Sequence, residues 1–333
     1  MTRISVLLAF AALVLMPPPA RSAASPFAGR WDLTFTAADA SYPGWMEVSD
    51  KDGSLRVRVQ EREGGAHAVA GMKLEGNRLI LVVAKPEPAR PAEDGRPEEP
   101  ARPARVWILT LDGQNLTGQM KQGDDVKTSI RGVRAPELKR AAPAQWSAPE
   151  PLFNGKDLTG WRTVNNTQNP NAKVNRWGVE NGELVNRGKG HNIVSTRKFD
   201  DFKLHVEFKM EAGSNSGIYL RGRYECQMPP PGTVRPGATP GKQGLGYAIY
   251  GMVKATASSP GKPGVWRSYD ITLVGRYVTL VVDGVTIVDN QEIPGITGGA
   301  LDSNEAEPGP IYFQGDHTGG IRYRNITVSV PKR

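Results

Sequence analysis

The chain has 333 residues, a length typical of about two domains. It carries 38 glycines, 27 prolines and only short apolar runs, a composition typical of a turn-rich all-β protein. The formal net charge is +8, but the basic residues are dispersed and form no stripe with interleaved aromatic residues, so the sequence argues against nucleic-acid binding.

Residues 1–24 have the layout of a secretory signal peptide. Arg3 supplies positive charge, Ile4–Met16 is apolar, and small residues follow up to Ala24. We predict cleavage after Ala23 or Ala24 and export, with the periplasm as the expected compartment and no stable membrane anchor after cleavage. An uncleaved anchor is the alternative, although the apolar run is short for a membrane span. No cysteine follows this run, which excludes a lipoprotein anchor.

Residues 27–134 predict a small β-meander with a barrel-like opening at Gly29-Arg30-Trp31. Glycine-containing pairs separate its apolar runs and predict tight hairpins: Asp52-Gly53, Gly76-Asn77 and Asp112-Gly113. Residues 85–105 interrupt the meander with six prolines and both signs of charge, so we expect a solvated, mobile loop there. Residues 135–150 show neither the helical nor the strand period of apolar residues, so we predict an interdomain linker there.

Residues 151–330 predict a succession of short strands. Asn181-Gly182 and Asp283-Gly284 each join two apolar runs and predict tight hairpins. About a dozen strands in a segment of this size favour a two-sheet sandwich over one open sheet. Cys226 is the one cysteine of the chain, which rules out an internal disulfide, and its strand position predicts a buried apolar role.

The segment 199–228 carries the strongest functional signal. Alternation in Phe202–Phe208 predicts a strand with His205 and Glu207 on its polar face. Four more hydrogen-bonding residues follow within two strand-like runs: Asn215, Arg221, Glu225 and Gln227. We predict that these six side chains line one sheet face that holds a polar ligand. The alternatives are a solvated strand face for the first two and a structural Arg221–Glu225 ion pair.

A second signal is His317, which lies among glycines after a predicted strand. An imidazole at such a loop titrates near neutral pH, and Asp316 beside it has the position to orient it. A surface histidine without a role is the alternative. The four histidines form no closely spaced pair, which argues against a structural zinc site. No cofactor is firmly implied, and a divalent cation held by oxygens and one or two histidines is left open.

Residues 150–330 resemble the 3-keto-disaccharide hydrolase domain family in the order and spacing of several segments. The matching segments are PLFNGKDLTGW (151–161), WGVENGELV (177–185), FKLHVEFKM (202–210), NSGIYLRG (215–222), YECQ (224–227), YGMVKATASSPGKPGVWRSYDI (250–271), VVDGVTI (281–287) and GPIYFQGDHTGGIRYRNI (309–326). The resemblance implies a concanavalin A-like lectin/glucanase jelly roll. It also implies a partner, an oxidised 3-keto glycoside or disaccharide, whose glycosidic bond is cleaved.

The resemblance also suggests a reaction mechanism and a role for each candidate residue. A ketone at sugar carbon 3 acidifies the hydrogen on carbon 2, so one base, an enolate stabiliser and an acid suffice for elimination followed by hydration. We predict His317 or His205 as the proton-transfer group and Arg221 as the enolate stabiliser. The predicted substrate-binding residues are Glu207, Asn215, Glu225, Gln227, Tyr250, Trp266, Gln314 and Asp316.

Two other functions stay open at this point. The first is a non-catalytic carbohydrate-binding protein, because jelly rolls host both classes. The second is a retaining glucanase, which needs two carboxylates about 5–5.5 Å apart. Glu207 and Glu225 are the candidates for such a pair, although the usual glucanase strand motif is absent. The oligomeric state and the role of the N-terminal domain do not follow from the sequence.

Overall fold

The structure is a computed structural model that describes residues 25–38, 40–51, 53–90, 99–165, 174–233, 248–315, 317 and 320–332. The described residues form strands joined by turns and irregular segments, which confirms the predicted all-β class. Within these ranges, no helix has the length and apolar character needed to cross a membrane. The predicted signal peptide lies outside the described residues and stays a prediction.

Nine antiparallel strands form the first sheet. They are β1 (Gly29–Thr36), β2 (Ser41–Lys51), β3 (Ser54–Gln60), β4 (His67–Ala68), β5 (Gly71–Glu75), β6 (Arg78–Ala84), β7 (Arg105–Asp112), β8 (Asn115–Gln122) and β9 (Asp125–Arg134). Their order is β4-β3-β2-β1-β9-β8-β7-β6-β5. The two ends of this order, β4 and β5, are joined by a link of two residues. The link bonds to the strand next to each end, since Val69 N donates to Val57 O of β3 and Ala70 N donates to Val82 O of β6. The sheet therefore curls into a barrel around its own core.

The barrel core is built by strand alternation. Trp31, Leu33 and Phe35 point inward from β1, and they pack with Met46, Trp107 and other buried side chains. The predicted hairpins at Gly76 and Gly113 are present, and both glycines have the positive φ that such turns require. Strands β8 and β9 were not predicted, because they are polar and join at Gly123-Asp124.

The two ends of the proline-rich segment pair with each other. Glu87 and Arg102 exchange backbone hydrogen bonds, and so do Arg90 and Glu99. The described ends of the segment therefore extend the barrel as a narrow two-stranded arm, whereas residues 91–98 lie outside the described ranges. The predicted mobility of this loop stays a prediction.

Thirteen further strands form a two-sheet sandwich. They are β10 (Glu150–Pro151), β11 (Trp161–Val164), β12 (Trp177–Glu180), β13 (Glu183–Asn186), β14 (Asn192–Phe199), β15 (Phe202–Met210), β16 (Ser216–Leu220), β17 (Tyr224–Met228), β18 (Trp266–Val274), β19 (Tyr277–Val282), β20 (Val285–Glu292), β21 (Gly309–Phe313) and β22 (Ile321–Ser329). The larger sheet has the order β12-β13-β22-β15-β18-β19-β20, with β10 paired to β22. The smaller sheet has the order β11-β14-β21-β16-β17.

The two sheets enclose one apolar core, as expected for the predicted jelly roll. Phe202, Leu204, Val206 and Phe208 enter it from β15, and the alternation predicted for this strand is confirmed. The smaller sheet contributes Ile218, Leu220, Tyr224, Cys226 and Met228. Cys226 is fully buried, as predicted, and burial raises the pKa of its thiol far above the ordinary value.

The barrel and the sandwich are in direct contact. Trp45 of β2 is fully buried in the core of the sandwich, although its neighbours Met46 and Val48 pack in the barrel. Outward-facing Arg30 of β1 forms an ion pair with Glu292 of β20. The connecting segment follows the same boundary, since Arg276 N donates to Leu138 O. These contacts hold the barrel against the sandwich.

Candidate active site on the smaller sheet

Polar residues occupy the outer faces of both sheets of the sandwich. We call the outer side of the smaller sheet the five-strand face; it carries Tyr219, Glu225, Gln227, Tyr312 and Gln314. We call the outer side of the larger sheet the eight-strand face; it carries His205, Glu207, Trp266, Asp270 and Arg324. The apolar core separates the two faces.

Glu225 is the best-fixed acidic group on the five-strand face. Its partner in register is Tyr219, and the Tyr219 hydroxyl lies 3.0 Å from Glu225 Oε2. The same hydroxyl lies 2.8 Å from the carbonyl oxygen of Gly298, so its single proton goes to one of two acceptors. The carboxyl group extends over Gly217, where a Cβ atom would come within 2.3 Å of Oε1. Only 4% of Glu225 is exposed.

Amide and phenol groups surround this carboxyl group. Gln227, also buried, donates from Nε2 to Asn215 Oδ1 at 2.9 Å. The backbone N–H of Tyr250 donates to the carbonyl of Glu225 at 2.9 Å, which places Tyr250 alongside β17. Burial, together with the negative charge of Glu225, raises the pKa of Tyr250. The Tyr250 hydroxyl therefore keeps its proton at neutral pH and stays a hydrogen-bond donor.

Gln314 closes the same face at the end of β21. Its backbone N–H donates to Gly217 O at 3.0 Å, and its side chain is 3% exposed. Next to it, Asn192 Oδ1 accepts from the N–H of Gly315 at 2.8 Å. Gln314 Oε1 and Asn192 Nδ2 are buried without a hydrogen-bond partner among the described residues. Asn192 was missed from the sequence because the polar residue at the start of β14 gave no motif.

His317 is half-buried in the turn between β21 and β22. The turn is anchored at Gly315, whose carbonyl accepts from Gly190 N, and at Gly320, whose carbonyl accepts from Ser214 Oγ at 3.1 Å. Asn215 follows directly after Ser214, so His317 belongs to the same end of the five-strand face as Asn215 and Gln314. Asp316, predicted to bind substrate, lies outside the described residues.

The eight-strand face is a ladder of paired charges. His205 Nδ1 lies 2.7 Å from Asp270 Oδ1. Glu207 accepts from Arg324 Nε at 2.6 Å and from Asn325 Nδ2 at 2.8 Å. Partial burial opposes ionisation of Glu207, but these two hydrogen bonds outweigh it and lower its pKa. Each of these groups is satisfied by a neighbour on its own surface.

Trp266 belongs to the eight-strand face as well. The guanidinium carbon of Arg324 lies 4.0 Å from the centroid of its ring, and Lys209 Nζ lies 4.7 Å from it. The prediction of one shared face for His205, Glu207 and the later polar residues is therefore wrong. The chain crosses from the larger to the smaller sheet between β15 and β16, so residues on either side of residues 211–215 look out in opposite directions.

Arg221 does not share a face with Glu225 and Gln227 either. It follows the end of β16 with a φ of 54°, and this left-handed turn directs its side chain away from Glu225. The buried guanidinium donates to the carbonyls of Gly275, Glu305 and Glu307. Burial lowers its pKa. The predicted shared position and the alternative Arg221–Glu225 ion pair are both wrong, since the ion-pair partner is Asp200 at 3.7 Å.

Among the described residues, the five-strand face thus combines the buried carboxyl group of Glu225, the three phenols of Tyr219, Tyr250 and Tyr312, and several side-chain amides. Such a set can hold sugar hydroxyl groups and place one proton donor and one acceptor beside a bound ring. In the described part of the chain, no group of three or more His, Cys, Asp or Glu side chains could hold a metal ion. The glucanase alternative is not supported, because Glu207 and Glu225 lie on opposite faces of the sandwich.

Comparison with known proteins identifies the family of this chain. The chain is 30% identical over 126 residues to a 3-keto-disaccharide hydrolase of Bacteroides thetaiotaomicron, and the match covers 34% of this chain and 42% of that protein. A candidate glycosyl hydrolase of Parabacteroides distasonis is 28% identical, with a TM-score of 0.44, over 58% of this chain and 93% of that one. A second from the same species is 23% identical, with a TM-score of 0.40, over 55% of this chain and 92% of that one. Residues 148–329, more than half of the chain, match the 3-keto-alpha-glucoside-1,2-lyase-like domain, and the chain belongs to that family.

Proposed function

We propose that the protein cleaves the glycosidic bond of 3-keto-glycosides on the five-strand face. The observation that carries the proposal is the buried Glu225 carboxyl group, held over Gly217 by Tyr219 and flanked by Tyr250. Membership of the lyase-like family and the 3-keto-disaccharide hydrolase among its relatives support the choice of substrate. The match spans less than half of that relative's length.

The proposed chemistry begins with removal of the proton on sugar carbon 2. The electron pair of that C–H bond delocalises onto the oxygen at carbon 3 as an enolate. The enolate then expels the group on carbon 1, which leaves with a proton from an acid, and a double bond forms between carbons 1 and 2. Addition of water across that double bond gives the 3-keto sugar, so the net reaction is hydrolysis.

The residues of the five-strand face fit these steps. We assign proton transfer to His317, because histidine is the side chain that enzymes use most often as a general acid or base. The protonated Tyr250 hydroxyl takes over the enolate-stabilising role first predicted for Arg221, because its raised pKa keeps it a donor. Glu225, Gln227, Asn215 and Gln314 hold the hydroxyl groups of the sugar.

The two histidines provide a matched test. On 3-keto-trehalose, His317→Ala should lower turnover about 10²- to 10⁴-fold, the range for loss of a general acid or base. His205→Ala should leave turnover unchanged, because His205 pairs with Asp270 on the other side of the sandwich. Full turnover in His317→Ala contradicts the assignment of proton transfer.

Substrate controls separate the proposal from its rivals. Unoxidised trehalose should release no glucose, and the assay is run with and without a chelator to detect a cation requirement. Equal cleavage of both sugars would remove the keto-specific mechanism. Binding of the 3-keto sugar without any product would identify a carbohydrate-binding protein instead.

A further inference from the structure

We propose that the N-terminal barrel is a positioning element of the active site, and that its β3–β4 loop (residues 61–66) holds Glu225 and Tyr250 in place. The proposal concerns how these two residues are supported, and its binding readout rests on the function proposed above. Its structural basis is two places where backbone of the loop meets backbone of the sandwich, each at a pair of glycines.

The loop is ordered from within by Gln60, the last residue of β3. The Gln60 side chain is fully buried, and its Nε2 donates to the carbonyls of Glu61 at 2.7 Å and Gly64 at 2.9 Å. Glu61 also accepts from Arg105 of β7 at 2.8 Å. These bonds tie the loop to the barrel, so the surface that it presents to the sandwich is set by the barrel.

The first contact joins Gly64 to Gly298. A Cβ atom on Gly298 would lie 2.5 Å from Gly64 O, which shows how closely the two backbones approach. The next residue, Gly299, donates its N–H to Arg62 O at 3.2 Å. The carbonyl of Gly298 in turn lies 2.8 Å from the Tyr219 hydroxyl, which contacts Glu225. One face of this short segment therefore touches the barrel, and the other supports the Tyr219–Glu225 pair.

The second contact joins Gly65 to Gly251. A Cβ atom on Gly251 would lie 2.5 Å from the Cα of Gly65 and 2.8 Å from Ala66 N. Gly251 follows Tyr250, whose backbone N–H bonds to Glu225 O. Ala66 also packs against the core of the sandwich. The loop thus sets the position of the turn that carries Tyr250.

Both backbone supports of the site therefore rest on the same barrel loop. Thr297 adds to the first support, because its hydroxyl accepts from the N–H of Glu225 at 3.0 Å. A displacement of the loop by a few tenths of an ångström would pass to Glu225 through the 297–299 segment and to Tyr250 through Gly251. The barrel is then required for the geometry of the site without itself touching the substrate.

Gly65→Ala tests this inference in the full-length protein. Its Cβ would lie 3.1 Å from the Cα of Gly251, so the turn must yield slightly while the fold can persist. Gly71→Ala is the matched control in the same barrel, since its Cβ would meet Val82 at an ordinary 3.7 Å. The chain has nine tyrosines, so ¹⁵N-tyrosine labelling gives a simple amide spectrum, and loss of one signal in Tyr250→Phe assigns Tyr250.

We expect Gly65→Ala to shift the Tyr250 amide signal and to weaken binding of 3-keto-trehalose about tenfold, which is the effect of losing about one hydrogen bond to the sugar. Gly71→Ala should change neither, with both variants melting at similar temperatures. An unmoved Tyr250 signal in folded Gly65→Ala, or a moved signal with unchanged affinity, overturns the proposal. If the wild type binds no 3-keto sugar, the proposed function fails, whereas the Tyr250 shift still decides whether the barrel supports the site.

Arg62→Ala serves as the second variant if Gly65→Ala does not fold. It inserts no atom at the contact and removes a guanidinium whose carbon lies 5.2 Å from the centroid of the Tyr42 ring. Loosening the loop in this way should also shift the Tyr250 signal and weaken binding, and an unchanged signal with unchanged affinity counts against the proposal.

Discussion

At the scale of single residues, Gly217 and Glu225 share the space of one side chain on the five-strand face. The carboxyl group of Glu225 lies where a Cβ of residue 217 would be, with Cγ at 2.6 Å and Oε1 at 2.3 Å from that position. Gly217 is therefore required by the side chain across the ladder. Its backbone carbonyl also accepts from Gln314 N, so the same residue aligns β21 with the site.

Two carboxyl groups on opposite faces provide a residue-scale prediction. Glu225→Gln keeps the size of the side chain but removes a buried charged acceptor, so kcat/KM on 3-keto-trehalose should fall about 10- to 100-fold. Glu207→Gln is the matched control. It breaks a surface ion pair that contributes about 0–1 kcal/mol to stability, and it should leave kcat/KM unchanged. The reverse pattern in steady-state kinetics would move the active site to the eight-strand face.

At the scale of elements, the positions of the sandwich strands could largely be predicted from the sequence. The sheet face on which each polar side chain lies could not. Alternation in β15 specified which of its side chains enter the core. It could not show that the turn at 211–215 leads to the other sheet, because a hairpin and a crossing have similar turn residues. In β16 and β17 every residue is buried, so no polar–apolar alternation marks the outer face. The pairing of Tyr219 with Glu225 is seen only in the folded structure.

Strand β2 links the two cores, because Trp45 points into the sandwich while Met46 and Val48 point into the barrel. Its indole lies against Gly295, where a Cβ would come within 2.1 Å of Nε1. The neighbouring Ile293 and Ile296 are buried in the same core. One strand of the barrel thus anchors the segment that leads to Gly298.

Removal of the Trp45 indole should therefore destabilise both the barrel and the sandwich. Trp45→Ala should lower the free energy of unfolding by about 3–5 kcal/mol and speed hydrogen exchange in residues 293–301 as well as in β2. Trp107→Ala is the matched control, since Trp107 is equally buried but packs only in the barrel. It should lower stability while leaving exchange in 293–301 slow. Mass spectrometry of exchanged peptides measures both, and slow exchange of that segment in Trp45→Ala would argue against the link.

At the scale of the whole molecule, the outer side of β1 forms a row of polar contacts with the sandwich. Arg30 pairs with Glu292, and Thr34 Oγ1 lies 3.3 Å from Ser303 Oγ. Between them, Asp32 faces Glu305, and both are almost fully buried. Glu305 accepts from the Tyr224 hydroxyl at 2.7 Å and lies 3.4 Å from Arg276. The positive charge of Arg223 also acts on Asp32.

The buried carboxyl pair of Asp32 and Glu305 should make the contact between the barrel and the sandwich depend on pH. Burial, the charge of Glu305 and a hydrogen bond to it raise the pKa of Asp32 to about 10, against the opposing charges of Arg276 and Arg223. The folded state therefore holds a proton that the unfolded chain releases near pH 4, so stability should fall as pH rises between about 4 and 10, by at most about 1.4 kcal/mol per pH unit.

Asp32→Asn, which keeps a donor for Glu305, should flatten this slope in urea unfolding at pH 5, 7 and 9. Asp125→Asn is the control, because Asp125 is exposed and Lys127 lowers its pKa, so it titrates below this window. Parallel slopes in the wild type and Asp32→Asn would show that the pair holds no proton in this range.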